Sequence, residues 1–219
     1  MSISPQYRWA LALLGALPIV WILTVSAVFG AQRPGYDATH AISELGQQGS
    51  ANAVAWNVLG FGGVALLYAV YTFPIAAEFG RKWLFALVIL QMITTAGSGV
   101  FSCDPGCPPV MSTPQGWLHT VFGISYFLVL GVLPLVAWRV FRQRAEWRSL
   151  ASISLIAGLL LIAFLFIGPI VLGAERIGIY QRTMLIVGGA WAALFAQRLA
   201  RRVRQHSAPP RTVPTAVRL

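Results

Sequence analysis

SLASISLIAGLLLIAFLFIGPIVLGA, residues 149–174, contains no acidic or basic residue from end to end. About 20 residues of helix are needed to cross a hydrocarbon core roughly 30 Å thick, and this stretch exceeds that length. It is continuously apolar, whereas the strands of an outer-membrane barrel alternate lipid-facing and lumen-facing residues. Five more runs of the same kind lie on either side of it, at 9–30, 52–77, 83–102, 117–138 and 177–197. Only His119 and Arg182 bring a histidine or a charged side chain into them. The expected fold is therefore all-α: a polytopic membrane protein with a six-transmembrane-helix bundle over residues 1–200. A disordered, basic, cytoplasmic tail is expected over 201–219, where prolines cluster.

Composition supports the same reading. Of 219 residues, 57% are hydrophobic and 10% charged, against about 45–50% and about 25% in a soluble domain. So few charges cannot cover a water-exposed surface of this size. The net charge is +10, yet the arginines flank apolar runs instead of accompanying a base-stacking or groove-reading motif, so nucleic acid is not an expected partner. Of the 16 basic residues, all but Arg33, Arg176 and Arg182 fall in segments that share a side with the N-terminus. The positive-inside rule then puts both termini in the cytoplasm and the protein in the inner (plasma) membrane. Trp9, Trp83, Trp138 and Trp147 lie near the inner boundaries and Trp117 near an outer one, as in an aromatic belt. The first run exceeds the 7–15 apolar residues of a usual signal core, so it is read as a span. Pro18, Pro134 and Pro169 fall inside runs and are expected to kink them.

Polar chemistry gathers on the expected outer side. The connection at 31–51 is long for a bundle, where 2–8 residues are usual. Within it, residues 37–46 read as a short helix capped by Asp37 and ended by Gly46, with His40 and Glu44 four apart on one face. Cys103 and Cys107 bracket Asp-Pro-Gly, a turn that brings two sulfurs together; a disulfide is expected on an oxidising side. Paired thiols, or metal ligation with His40 and His119, are the other readings, and no metal is assigned. Gln91, Thr94, Ser98 and Ser102 form a polar stripe toward Asp104, which helix packing by small polar residues also explains. Arg182 lies too deep to be left unpaired in lipid, at about 2.5–3.5 kcal/mol, so it is expected to snorkel or to meet Glu44, Asp104, Glu175 or a lipid phosphate.

At these residues the chain resembles the DUF998 family of membrane proteins. The matching segments are 40–46 (HAISELG) followed by 52–60 with Asn57, 101–107 (FSCDPGC), 116–119 (GWLH) and 178–182 (GIYQR). The resemblance spans roughly residues 8–200 and implies one six-helix membrane domain; it supplies no mechanism. The candidate ligand-binding residues of the outer cavity are His40, Ser43, Glu44, Asn57, Asp104, His119 and Arg182. The expected activity is binding of a lipid headgroup or a partner protein, with membrane lipid as partner and no cofactor. A metal-assisted hydrolase using His40, His119, Asp104 and Glu44, and a small transporter, are the alternatives. No nucleophile motif or phosphate loop supports a particular reaction.

Overall fold

The structure is a computed structural model that describes residues 5–80 and 82–207. Residues 208–219 of the tail expected over 201–219, with Arg211 and Arg218, and Arg81 on the expected inner side lie outside the described residues. Among the described residues, six helices are long and apolar enough to cross a membrane: α1 (Trp9–Ala31), α2 (Ala53–Phe79), α3 (Trp83–Val100), α4 (Pro114–Arg142), α5 (Ala145–Leu172) and α6 (Ala174–Gln205). Each packs against its neighbours in sequence, and α6 closes the ring against α1. The last α-helix runs on to Ser207, so the domain boundary expected at 200 falls inside it.

The helices stay together through close backbone approach. A methyl group added at Gly131 would lie 2.7 Å from Ile162, and one at Gly158 would lie 2.5 Å from Leu135, so α4 and α5 meet through small residues on both sides. At Pro18 the structure shows a change of helix type. The proline has no N–H to offer Leu14, and the chain switches to a 3₁₀ turn over Leu14–Ala16 just before it. Pro134 and Pro169 sit inside unbroken α-helix, as does Pro74, which the sequence reading passed over.

Large side chains such as Ile156, Leu159, Phe166 and Ile170 on α5 are exposed. An apolar surface this extensive is stable only against hydrocarbon. At the basic end, Phe79, Phe141, Trp147 and Phe195 form one aromatic cluster with ring centroids 5.0–5.9 Å apart. Trp147 is fully buried there and donates to Glu78 at 3.0 Å, so it belongs to the core and not to the interfacial belt. Trp83 and Trp117 are exposed, as a belt requires. Arg202 lies 3.8 Å from Glu78 and 3.7 Å from Glu146, joining α2, α5 and α6 at this end.

Candidate functional site

Two long connections, 32–52 and 101–113, and the single-residue connection at Gly173 meet at the opposite, polar end of the bundle. The first is folded back onto α6. The helix expected over 37–46 is shorter than its sequence suggests: only Ile42–Gly46 is helical, as 3₁₀ turns, because Ala41 is extended at φ −57°, ψ 138°. Before it, the Asp37 carboxylate bonds the Thr39 backbone N–H and hydroxyl and the His40 ring. The Thr39 bonds, with a smaller part from His40, lower the Asp37 pKa to about 2. Three residues of α6 grip this turn. Gly178 N–H donates to Thr39 O at 2.8 Å. Gln181 Oε1 accepts from Ile42 N–H at 2.8 Å. Arg182 donates to the carbonyls of Ala38 and His40 at 3.0 and 2.9 Å and to the Tyr36 hydroxyl at 3.0 Å. Arg182 thus turns inward, but toward main-chain carbonyls, and none of its expected carboxylate partners bonds it.

The second connection is organised by Asp104. Its carboxylate accepts from the Ser112 and Thr113 backbones and hydroxyls and from Gln48. These bonds, the Thr113 hydroxyl's foremost, hold its carboxyl well below the usual carboxylate range. Cys103 and Cys107 are joined in a disulfide across the intervening turn, with Cα atoms 5.2 Å apart. Asn57 opens a π-helical segment, Asn57–Gly62, and donates to Gly46 O and Ser102 Oγ at 3.2 and 2.9 Å. Gly46 admits no side chain, since a methyl there would lie 2.0 Å from Asn57 Oδ1. In the stripe on α3, Thr94 and Ser98 bond carbonyls of their own helix, as does the neighbouring Thr95.

His119, on α4, is buried. Its Nδ1 lies 3.0 Å from Ser98 O and 2.7 Å from Phe101 O. Both partners are carbonyls, so Nδ1 carries the proton and Nε2 keeps its lone pair. His119 lies on the wall between two cavities. One is a chamber of about 70 Å³ inside the bundle, with Ser43, Ser98 and Tyr126 in its lining. The other is a groove of about 510 Å³ along α4, α5 and α6, lined by Thr120, Phe127, Leu165 and Tyr180 and bordered by the exposed Ile124 and Phe166. Ser43, His119, Gly123 and Gln181 line both. The groove shares Cys107, Pro108, Pro109, Pro169 and Ile177 with a vestibule of about 500 Å³, whose polar wall holds His40, Glu44 and Glu175. Burial raises the Glu44 pKa, with His40 and Arg33 opposing it.

The residues singled out in the sequence therefore divide. His40 and Glu44 line the vestibule, and Ser43 and His119 line the groove. Asn57, Asp104 and Arg182 bind main chain and neighbouring side chains and shape the site from behind. Gly123 and Thr120 on α4 and Gln181 on α6 are further wall residues that were not among the candidates expected from the sequence. The only available signal was a glycine and a threonine one helical turn apart around His119. Among the described residues no group of three or more His, Cys, Asp or Glu side chains gathers as a metal site, and the two cysteines are bonded to each other.

A family model described as "Protein of unknown function (DUF998)" matches residues 11–198. Comparison with curated proteins and with solved structures found no match.

Proposed function

From the premise that the chain belongs to the DUF998 family, we propose that it binds a membrane amphiphile at its polar end. One observation carries this reading. The polar vestibule and the apolar groove share a wall, so a single ligand can keep its headgroup in one and its acyl chain in the other. The groove lies beside lipid-exposed side chains, which gives a chain sideways entry from the bilayer. The polar end faces the outside, the termini face the cytoplasm, and the membrane is the plasma membrane; the placement of arginine supports this orientation. His119, with its tautomer fixed by two carbonyls, offers Nε2 as an acceptor beside the chain's upper part.

Gly123→Leu tests the reading. A Cβ at Gly123 meets nothing within 4 Å, so a side chain can start from this position without a clash, and a leucine there takes up space in the groove. Native mass spectrometry of the purified wild type should show co-purified lipid, and the variant should lose it while melting at the same temperature. Equal lipid retention in the two proteins refutes the proposal.

A further inference from the structure

We infer that the vestibule selects amphiphiles whose headgroup carries a hydrogen-bond-donating ammonium, held by the carboxylate of Glu44 with Glu175 at the rim. This rests on the amphiphile reading above and names the headgroup that site would take.

The first reason is the sign of the wall. Glu44 and Glu175 line the vestibule together with His40, and no lysine or arginine does. Arg176, next to Glu175 in sequence, is exposed and is not part of the wall, and the other two arginines of this end are engaged elsewhere. Arg33 donates to the backbone carbonyl of Glu44 at 2.7 Å, and Arg182 donates to the carbonyls of Ala38 and His40. A phosphate entering here would meet two carboxylates without a cation on the wall to receive it.

The second reason is the state of Glu44 itself. Its side chain belongs to a residue only 8% exposed, and its Oε2 is buried without a hydrogen-bond partner. Buried polar atoms are almost always paired, and an unpaired carboxylate oxygen on a residue that lines a cavity calls for a donor there. A primary ammonium brings three N–H donors and a compensating charge. A quaternary ammonium brings the charge alone and leaves Oε2 open. Burial raises the Glu44 pKa, and a bound cation would draw it back down.

The third reason is reach. The vestibule and groove adjoin at Pro108, Pro109, Pro169 and Ile177, which line both, so a ligand with its ammonium at Glu44 has the apolar wall beside it for its acyl chain.

The test titrates the detergent-purified full chain with dioleoyl phosphatidylethanolamine and with dioleoyl phosphatidylglycerol, reading occupancy by native mass spectrometry. These lipids share chains and phosphate and differ in the ammonium. The wild type should favour the ethanolamine lipid by about tenfold, the scale of one charge-assisted hydrogen bond. Glu44→Gln should bring the two within twofold. Glu175→Gln, at an exposed position, should lower the preference two- to threefold. Displacement of the lipid by free ethanolamine, with glycerol inert, would assign recognition to the ammonium alone. Equal binding in the wild type, or a preference that survives Glu44→Gln, overturns the inference. If both lipids bind equally and both are lost in Gly123→Leu, the ammonium fails and the amphiphile site stands. If neither lipid responds to Gly123→Leu, both ideas fall.

Discussion

Gly178→Ala should detach the first connection from α6. A Cβ at this position would lie 1.9 Å from His40 O, 2.5 Å from His40 C and 2.6 Å from Ala38 O. All three are backbone atoms, so no rotamer change can relieve the clash. Restoring ordinary contact at 3.4 Å moves the His40 carbonyl by about 1.5 Å. The bonds from Gly178 N–H to Thr39 O and from Ile42 N–H to Gln181 Oε1, both 2.8 Å, would then exceed bonding distance. The Arg182 bonds to Ala38 O and His40 O, at 3.0 and 2.9 Å, would lengthen unless its side chain follows. Two neutral bonds at about 1 kcal/mol each, with partial loss of the charged pair, come to roughly 3 kcal/mol. For a chain of this size that is on the order of 6–12 °C in Tm. The assay is thermal unfolding in detergent, with hydrogen exchange read over residues 36–46. Gly123→Ala, whose new methyl meets nothing within 4 Å, is the matched control and should lose no stability. Unchanged melting and unchanged protection of 36–46 in Gly178→Ala would refute the clamp.

Reduction of the Cys103–Cys107 disulfide, which closes a loop with a sequence separation of 4, should cost about 2 kcal/mol by loop entropy; calorimetry with and without reductant reads it. Asp104→Asn should destabilise the protein at neutral pH. The Asp104 pKa is lowered by folding, so its contribution is complete above the ordinary carboxylate pKa of about 3.9 and fades as pH falls below it, and the gap between variant and wild type should close in acid. Glu44→Gln has the opposite sign. Folding raises the Glu44 pKa, so its charge opposes folding at neutral pH. The unliganded variant should melt no lower than wild type there, and any advantage should vanish as the wild-type carboxyl protonates; His40 and Arg33 are the neighbouring charges to hold constant. Reporters at Gly106 and at the C-terminus should report opposite compartments.

The spans were legible because a membrane helix needs about 20 apolar residues in a row, and few other folds show that pattern six times. What the charged residues do was less legible. For Arg182 the sequence leaves snorkelling and pairing with an acid or phosphate both open, but its partners are the carbonyls of Ala38 and His40, and every residue in a sequence has a carbonyl. Asp104 was read as a possible ligand, while its acceptors are filled by Ser112 and Thr113 eight and nine residues on. The 37–46 helix failed because the Asp37 carboxylate closes a local turn onto Thr39, a competition that helical spacing does not weigh. Trp147 looked interfacial, yet the 3₁₀ segment Ala145–Leu150 tucks it beneath Phe79 and Phe141. The groove was hidden for a different reason: it is made by what is missing, at Gly123, and a missing side chain has no signature of its own.

A structure of the full chain determined in lipid nanodiscs tests the central claim most directly. Elongated density along Phe127 and Leu165, ending in a headgroup against Glu44, is the expected result. A groove closed by the side chains of α4 and α5, with no lipid between them, would contradict it.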